Sequence, residues 1–436
     1  LRRAEREVGR SCRIQADLGG PKLRTGPLEA AGRLLKIRPK RDYLARVLSP
    51  VPVWLTPSDA PEVAPEGVRL IMPVDSPLLA ASQPDDEIHF IDGRGRERCL
   101  RIVSWQDDSC LAETDQVIYA LDQTRIDLVR GQTVITQGVI GPLPEVVSPL
   151  ILFPNDPLFL TRDPQPGRDA EYDESGELIT PAQIHCTLEA AFAAVRPGEH
   201  VWLDDGKIGG LVKANDGQTI TIQITYTGPN GGRLRSEKGI NFPDTQFDMS
   251  ALTDKDIADL GEVVNLVDMV ALSFLRGPED ILMLEDHLHR LGGGHLGIVL
   301  KIENRQAFEN LPRILLASLR SPPVGVMVAR GDLAVEVGFE RLSEVQEEIL
   351  WLCEAAHVPV IWATQVLEGL TKRGHATRAE ITDAAMAQAA EAVMLNKGPY
   401  IIQAVETLDD ILQRMQGHYR KRHAVMRKLG MASGPG

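Results

Sequence analysis

Residues 297–304 read GIVLKIEN, and residues 324–333 read VGVMVARGDL. Each stretch begins with a run of mostly aliphatic residues and ends in polar ones, which predicts buried strands over 297–302 and 324–329, each followed by a turn. Similar strands are predicted over 267–274 and 358–363. Helical patterns separate these strands, for example RLSEVQEEILWLCEAA at 341–356. Strands that alternate with helices in this way indicate a parallel sheet or barrel.

The middle of the chain, residues 27–248, has a different character. It is rich in Pro, Gly, Asp and β-branched residues, which predicts an all-β region with many turns. PDDEIHFIDGR at 84–94 aligns without gaps on PGEHVWLDDGK at 197–207, and a second similar pair, VWLTPSDAP and LFLTRDPQP, occurs in the same order. The similar spacing predicts two copies of one β module. The alternative is that turn-rich β segments resemble each other without being copies.

These patterns predict four segments. Residues 1–26 and 249–436 form the two parts of the α/β sheet or barrel, residues 27–137 form a first β module, and residues 138–248 form a second one. The second module leads directly into the α/β part.

The composition is that of a folded globular protein, since 43% of the 436 residues are hydrophobic and 25% are charged. The net charge of −14 argues against nucleic acid as a partner, because phosphate contacts need a basic surface. No apolar run approaches the roughly 20 residues of a membrane span, so no membrane partner is predicted. The five cysteines form no CxxC pair and the ten histidines show no metal spacing, so neither a disulfide framework nor a zinc site is predicted. We expect a cytoplasmic protein.

The ends of the predicted strands carry the residues suited to chemistry. Glu303 and Asp332 end neighbouring strands, and two carboxylates with substrate oxygens and water are how Mg²⁺ is usually held. Lys301 precedes Glu303 by two residues, so both side chains point to the same face. Gly331 and Asp332 begin a predicted helix, whose free N–H groups attract an anion. Together these groups predict a cradle for a phosphorylated carboxylate.

Several of these segments resemble the pyruvate kinase family, and they occur in the family's order: ADLGGPKLRTG at 16–26, LTDKDIADL at 252–260, VLKIENRQAFEN at 299–310, VGVMVARGDLAVE at 324–336 and PVIWATQVLEGL at 359–370. LDDGKIGGLV and SEKGINFP resemble the lid domain of that family. The resemblance implies a TIM (β/α)8-type barrel, with six strands recognisable, and an inserted all-β lid region. It also implies phosphoryl transfer from phosphoenolpyruvate to ADP with Mg²⁺, in glycolysis.

The resemblance implies metal-binding, substrate-binding or catalytic roles for five residues. Glu303 and Asp332 would bind Mg²⁺, and Lys301 would stabilise the phosphoryl group during transfer. Gly331, through its backbone, would hold the substrate carboxylate together with Asp332. Thr364 would contact the substrate and take part in proton delivery to the enolate carbon.

The resemblance also implies a nucleotide site and a potassium site. Arg24 and Lys238 would face the nucleotide phosphates, and Asp17 with the Leu18 carbonyl would form part of the K⁺ site. Lys22 stands where many relatives carry Glu. Members of the family that carry Lys at this position resemble the group that does not need K⁺. An ammonium beside Asp17 could replace the monovalent cation, so K⁺ is predicted to be optional. The alternative is an exposed loop lysine.

The chain also departs from the family pattern. The first two barrel strands have no counterpart, the chain begins with Leu1, and we expect that residues upstream are missing rather than that the barrel is open. NKGPY follows AVML in place of the family's Ser-Gly-Glu-Thr-Ala, and the family's C-terminal domain has no counterpart. A homo-oligomer remains compatible with the sequence, but the family's usual tetramer is not assumed. The basic tail around 420–422 is expected to be a solvated helix end.

Three functional hypotheses follow. The first is a pyruvate kinase-type phosphotransferase whose working lid is the second β module. The second is a catalytically silent homologue that acts as a sensor or scaffold, with the first module as a spacer, partner surface or regulatory site. The third is a Mg²⁺/enolate lyase or aldolase of the pyruvate-binding barrel type. ADP binding distinguishes the kinase from the lyase, and Lys301 favours the kinase.

Overall fold

The computed structural model describes residues 1–320 and 323–416. Two compact units divide the chain: Leu28–Ser148, and Leu1–Pro27 together with the described residues from Pro149 onward. The basic tail around 420–422 lies outside the described residues. Within them, no helix is both long enough and apolar enough to span a membrane.

The N-terminal segment contains α1 (Arg2–Val8) and β1 (Gln15–Asp17). The unit Leu28–Ser148 contains β2 (Ala30–Ile37), β3 (Val51–Pro57), β4 (Ile71–Val74), α2 (Ser76–Ala81), β5 (Glu87–Ile91), β6 (Glu97–Gln106), β7 (Ser109–Thr114), β8 (Ile118–Leu121), β9 (Arg125–Arg130), β10 (Thr133–Val139) and β11 (Glu145–Val147).

The second β region contains β12 (Leu150–Leu152), β13 (Pro157–Thr161), β14 (Glu171–Tyr172), β15 (Leu178–Thr180), β16 (Ala182–His185), α3 (Ala190–Ala194), β17 (His200–Leu203), β18 (Ile208–Asn215), β19 (Thr219–Tyr226), β20 (Gly232–Leu234) and β21 (Ile240–Asn241). The α/β part contains α4 (Asp254–Val263), β22 (Met269–Leu272), α5 (Pro278–Arg290), β23 (Gly297–Ile302), α6 (Arg305–Glu309), α7 (Leu311–Ser318), β24 (Val324–Ala329), α8 (Arg330–Val337), α9 (Leu342–Ala355), β25 (Val360–Ala363), α10 (Glu368–Arg373), α11 (Arg378–Met386), β26 (Ala392–Val393) and α12 (Ile401–Met415), with short 3₁₀ turns at Phe339–Arg341 and Ala387–Ala389.

The α/β part forms a parallel sheet with the order β1-β22-β23-β24-β25-β26, in which β1 and β26 are the outer strands of the described residues. β23 and β24 have the bounds predicted from the sequence, while β22 and β25 are shorter than predicted. β23 is almost fully buried along its length, as expected for a parallel strand covered on both faces. The main core of this unit packs the helices against one side of the sheet. The predicted α/β fold of TIM-barrel type with an all-β insertion is confirmed.

The two β regions contain sheets with one common topology. The first sheet contains the order β9-β5-β6-β7-β3-β4, and the second has β21-β17-β18-β19-β13-β16. In each, the last two strands named are parallel and the other neighbours are antiparallel. A short helix, α2 or α3, follows the parallel strand in both. A separate antiparallel pair accompanies each sheet: β2 with β8, and β12 with β20.

The first β module is longer in the structure than in the sequence prediction. Its predicted end at 137 falls inside β10. Beyond that strand, Glu145 of β11 pairs with Arg33 of β2, so the chain remains part of the first unit until Ser148. The composition changes little between 137 and 148, and only this strand pairing marks the boundary.

Candidate functional site

The inner face of the parallel sheet positions the candidate site. Ala271, Val299, Met327 and Ala363 form a small buried cluster there, one from each of β22 to β25. Because alternate residues of a strand point to the same face, Lys301 lies on the face of Val299. The interior is therefore apolar in its middle layer and polar at the carboxyl ends of the strands, where barrel enzymes carry their catalytic groups.

Lys301 and Glu303 form a buried ion pair at the end of β23, with Lys301 Nζ 3.2 Å from Glu303 Oε1. The same ammonium lies 3.5 Å from Asp17 Oδ2 and donates a hydrogen bond of 2.8 Å to Ser273 Oγ. Glu303 Oε2 accepts a hydrogen bond of 2.8 Å from the Phe274 N–H. Only 14% of the Lys301 side chain and 5% of the Glu303 side chain are exposed. Groups from β1, β22 and β23 thus fix the orientation of the lysine.

The charges of this cluster shift its pKa values. Burial raises the pKa of Glu303, Lys301 acts against this rise, and the charge of Asp332 adds to it. Burial acts to lower the pKa of Lys301, but the carboxylates of Glu303 and Asp17 raise it above its ordinary value. A buried carboxylate that is repelled by a second one is a suitable ligand for a divalent cation, and an all-carboxylate donor set suits Mg²⁺. The residues present therefore fit the predicted ion.

Asp332 lies in the first turn of α8 and is paired with Lys22 from the loop after β1. Lys22 Nζ is 2.8 Å from one carboxylate oxygen and 2.9 Å from the other. The ammonium also lies 5.5 Å from the centre of the Phe274 ring. The sequence predicted Lys22 beside Asp17, but in the structure it is Lys301 that lies beside Asp17. Lys22 instead neutralises one of the two candidate Mg²⁺ ligands.

Thr364 lies directly after β25 and contacts the first turn of α8, where its Oγ1 accepts a hydrogen bond of 2.9 Å from the Gly331 N–H. Thr364 has a φ of 66°, which is a strained conformation for a β-branched residue. Arg330 holds this turn, because its guanidinium donates to the Ala363 carbonyl at 2.8 Å and also to the Thr364 carbonyl. Arg330 is itself paired with Asp383. The strained backbone places the threonine hydroxyl at the carboxyl end of the sheet.

The backbone of the loop after β1 packs closely against neighbouring residues and hydrogen-bonds to them. Leu18 is buried, and Asp17 at the end of β1 is partly exposed. Gly20 has a φ of 67°, and a Cβ there would lie 3.0 Å from the Ser273 carbonyl oxygen, so this position requires glycine. Asp256 Oδ1 accepts a hydrogen bond of 3.3 Å from the Gly20 N–H. The two residues predicted for the K⁺ site therefore lie on a firmly positioned segment.

The residues predicted to face the nucleotide lie together beside the second sheet, because backbone hydrogen bonds join residues 24–25 to residues 238–239. Lys238 Nζ is 2.9 Å from Asp204 Oδ1, and Lys207 Nζ is 3.0 Å from Asp204 Oδ2. Burial acts to raise the pKa of Asp204, but the two lysines lower it below its ordinary value. Arg24 is exposed, and its guanidinium donates to the Glu237 carbonyl at 3.0 Å.

A cavity of about 200 Å³ adjoins the loop that carries Lys22. Phe274, Arg305 and Glu336 contribute to its wall, as does the segment after β21. Asn241 donates a hydrogen bond of 2.8 Å to Glu336, whose pKa is raised by burial. This contact ties the end of the second sheet to α8, the helix that carries Asp332.

The family profile described as pyruvate kinase, barrel domain, matches residues 169–405, more than half of the chain. The chain belongs to the pyruvate kinase family. This confirms the family resemblance predicted from the strand-end motifs. The match to the pyruvate kinase barrel contains Lys301, Glu303, Asp332 and Thr364, whereas residues 1–26 lie outside it.

Curated pyruvate kinases match over similar lengths. The pyruvate kinase of Clostridium acetobutylicum is 35% identical over 250 residues, which cover 55% of this chain and 51% of that protein. The enzyme of Geobacillus stearothermophilus is 36% identical over 246 residues, covering 55% and 41%. That of Mycobacterium tuberculosis is 37% identical over 222 residues, covering 49% and 45%. The chain thus spans about half the length, or less, of these relatives.

Sequence reasoning missed several residues of this candidate site. Ser273 holds Lys301, and it directly follows β22, as the predicted groups follow their strands. Arg330 holds the backbone at Thr364, and it stands next to Gly331 in the ARGDL motif. A rule that every polar residue at a strand end belongs to the site would have found both. The contact of Asn241 with Glu336 carries no comparable sequence signal.

Proposed function

We propose that this chain is a cytoplasmic phosphotransferase of the pyruvate kinase type. It transfers a phosphoryl group from phosphoenolpyruvate to ADP with Mg²⁺, giving pyruvate and ATP in glycolysis. The observation that carries the proposal is the convergence of Lys301, Glu303 and Asp332 at one end of the sheet, in a member of the pyruvate kinase family. Phosphoryl transfer depends mainly on positioning and charge stabilisation, which oriented, partly buried charges supply.

Lys301 stabilises the negative charge of the phosphoryl group as it moves between the two substrates. Its raised pKa keeps the ammonium protonated at neutral pH. The hydrogen bond to Ser273 and the neighbouring carboxylates hold the charge in place before the substrate arrives. A preoriented charge needs no reorganisation during the reaction, which is the basis of electrostatic catalysis.

Glu303 and Asp332 are the residues that would hold Mg²⁺. When bound, the ion neutralises charge on substrate oxygens and orients them. Lys22 occupies both oxygens of Asp332, so its ammonium and a divalent cation compete for that carboxylate. Glu303 Oε2 accepts the Phe274 N–H and its Oε1 lies beside Lys301, so the carboxylate is held in place before the ion binds.

Gly331 binds the carboxylate of phosphoenolpyruvate, and Thr364 contacts the substrate as part of the network that passes a proton from solvent to the enolate carbon. The Gly331 N–H, in the first turn of α8, offers a donor to the carboxylate at the positive end of the helix. The Thr364 hydroxyl, which accepts that N–H in the structure, is then released to donate toward the enolate carbon. Arg330 keeps the threonine in its strained conformation throughout.

Arg24 and Lys238 bind the phosphates of ADP. Lys238 exchanges its contact with Asp204 for the nucleotide, and Arg24 is already exposed. We further propose that K⁺ is not required, because Lys22 supplies a permanent positive charge next to Asp332. This role rests on the contact with Asp332 and not on one with Asp17.

The test is formation of pyruvate from phosphoenolpyruvate and ADP with Mg²⁺, measured with and without K⁺. Lys301→Met removes the central cation, and Lys255→Met makes the same change at an exposed residue of α4 that pairs with its helix neighbour Asp259. We expect turnover in the unaltered chain and in Lys255→Met, at rates that do not depend on K⁺. In Lys301→Met the rate should fall by about 10²–10³-fold, by analogy with a lost oxyanion-hole donor.

Other results would favour the other hypotheses. A folded chain that binds Mg²⁺ but forms no pyruvate above the Lys301→Met level would contradict the kinase proposal and favour a silent homologue. Turnover of an enolate substrate without ADP would favour a lyase or aldolase. Strict dependence on K⁺ would contradict the role given to Lys22 while leaving the kinase intact.

A further inference from the structure

A cluster of metal-ligand side chains lies on one side of the first sheet, in the unit Leu28–Ser148. Glu87 and His89 are two residues apart on β5, so their side chains share a face. Cys99 on β6 lies directly opposite His89. His89 Nε2 is 2.7 Å from Glu87 Oε2, and one ligand atom from each of the three residues lies within 4.8 Å of the others.

Negative charge surrounds Cys99. The Glu87 carboxylate is in hydrogen-bonding contact with the thiol, and the charge of Asp115 also acts on it. Asp127 on β9 is the cross-strand neighbour of the histidine. Arg101 acts against these carboxylates, but it is 55% exposed and itself paired with an aspartate. These carboxylates also attract a divalent cation, and binding of the sulfur to that ion would release the thiol proton to solvent.

The second sheet shows that the fold does not require these residues. β17 and β18 correspond to β5 and β6, and their register pairs Trp202 with Gly209 at the positions of His89 and Cys99. The Trp202 ring packs so closely that a Cβ on Gly209 would lie 2.6 Å from it. One sheet thus carries an aromatic side chain over glycine where the other carries imidazole opposite a thiol. The ligand set is a property of the first module alone.

We infer that Glu87, His89 and Cys99 bind one Zn²⁺ ion, with water as the fourth ligand of a tetrahedral site. Thiolate, imidazole and carboxylate are the ligands of zinc in proteins, at about 2.0–2.3 Å. Such bonds place the ligand atoms about 3.3–3.8 Å apart, which small rotations of partly exposed side chains provide. A thiolate and an imidazole disfavour Mg²⁺, so this site is chemically distinct from Glu303 and Asp332.

The test is Zn²⁺ binding to the whole chain after treatment with a chelator. An Asp332→Asn background disables the candidate Mg²⁺ site and leaves the first sheet unchanged. Competition with a chromophoric chelator gives affinity and stoichiometry, and substitution with Co²⁺ reports the thiolate through sulfur-to-metal charge-transfer absorption. We expect one ion per chain and a charge-transfer band. Cys99→Ser and His89→Gln should each weaken binding by more than the roughly 10–100-fold that loss of an outer partner of a ligand costs.

Cys12→Ser is the matched control, because it removes an exposed thiol that is not part of the cluster, and it should leave Zn²⁺ affinity unchanged. Unfolding curves without metal verify that each variant folds. If Cys99→Ser does not fold, His89→Gln still tests the site, because 44% of the His89 side chain is exposed. Equal Zn²⁺ affinity in the His89→Gln and Cys12→Ser proteins overturns the inference. So does a Co²⁺ complex that lacks the charge-transfer band.

Discussion

Replacing Lys301 with Met should damage stability and activity in a way that separates the two roles of this lysine. The substitution keeps much of the aliphatic volume and removes the ammonium. Glu303, with 5% of its side chain exposed, would then retain the Phe274 N–H as its hydrogen-bond donor. Asp17 would lose the same cation but remains about half exposed, so water can compensate there.

The expected loss of stability follows from the burial of the Lys301–Glu303 ion pair. Surface ion pairs contribute about 0–1 kcal/mol, but removal of one partner from a buried pair costs about 3–5 kcal/mol, because a charge is left without compensation. Both side chains of this pair are at least 86% buried, so the larger range applies. The double variant Lys301→Met/Glu303→Gln removes both charges and should regain most of this loss. Activity should stay low, because the cation that we propose stabilises the phosphoryl group is still missing.

The pH dependence gives a second signature. Burial already raises the pKa of Glu303, and Lys301 opposes that rise, so the pKa rises further in Lys301→Met. A carboxyl group whose pKa is higher in the folded than in the unfolded chain stabilises the fold as pH falls toward its unfolded value, near 4.3, and loses that contribution as pH rises through the folded value. The loss of unfolding free energy in Lys301→Met, relative to the unaltered chain, should therefore become smaller as the pH falls from 7 to 5.

Urea unfolding at the two pH values, together with pyruvate formation, tests this account. Independent, additive destabilisation by the Lys301 and Glu303 substitutions would refute the buried pair. A deficit that does not change between pH 7 and pH 5 would refute the uncompensated carboxylate. The single Glu303→Gln variant completes the double-mutant cycle that separates these cases.

Three further predictions concern the groups around this pair. Gly20→Ala should destabilise the unit that contains the parallel sheet by about 1–2 kcal/mol, because Gly20 has a left-handed backbone conformation and lies against the Ser273 backbone. Chemical unfolding would measure the loss, and an unchanged midpoint would contradict this close packing. Arg330→Lys should lower kcat more than it changes the KM for phosphoenolpyruvate, because Arg330 positions the Thr364 backbone, and a rise in KM alone would assign it to substrate binding. Lys22→Met should leave activity dependent on K⁺, whereas a variant equally active without K⁺ would show that the ammonium has no such role.

The sequence was most informative where burial is continuous. β23 and β24 were predicted with their observed bounds, because strands covered on both faces form unbroken aliphatic runs. Lys301 and Glu303 followed from the period of two along a strand. The partner of Lys22 was not predictable, because a loop residue's contact depends on the path of the chain after β1.

Contacts across strands were also inaccessible to spacing rules. Cys99 and His89 belong to no metal motif, and only the register of β5 against β6 brings them together. The end of the first module was placed too early for a related reason, because β11 is assigned to that unit by its pairing with β2 and not by its composition. In both cases the information lies in which strands pair, which depends on the whole sheet.

The pairing of β1 with β22 has a consequence for how the chain is made. Gln15 lies next to Met269 in the sheet, so β1 leaves the ribosome long before its neighbour exists. At about 5–20 residues per second, the residues between β1 and β22 are synthesised over an interval on the order of 10–50 s, during which β1 lacks this neighbour. The unit Leu28–Ser148 has its own core and can fold in that time. The pairing of β1 with β22, which brings Asp17 beside Lys301, is therefore a late event in biogenesis.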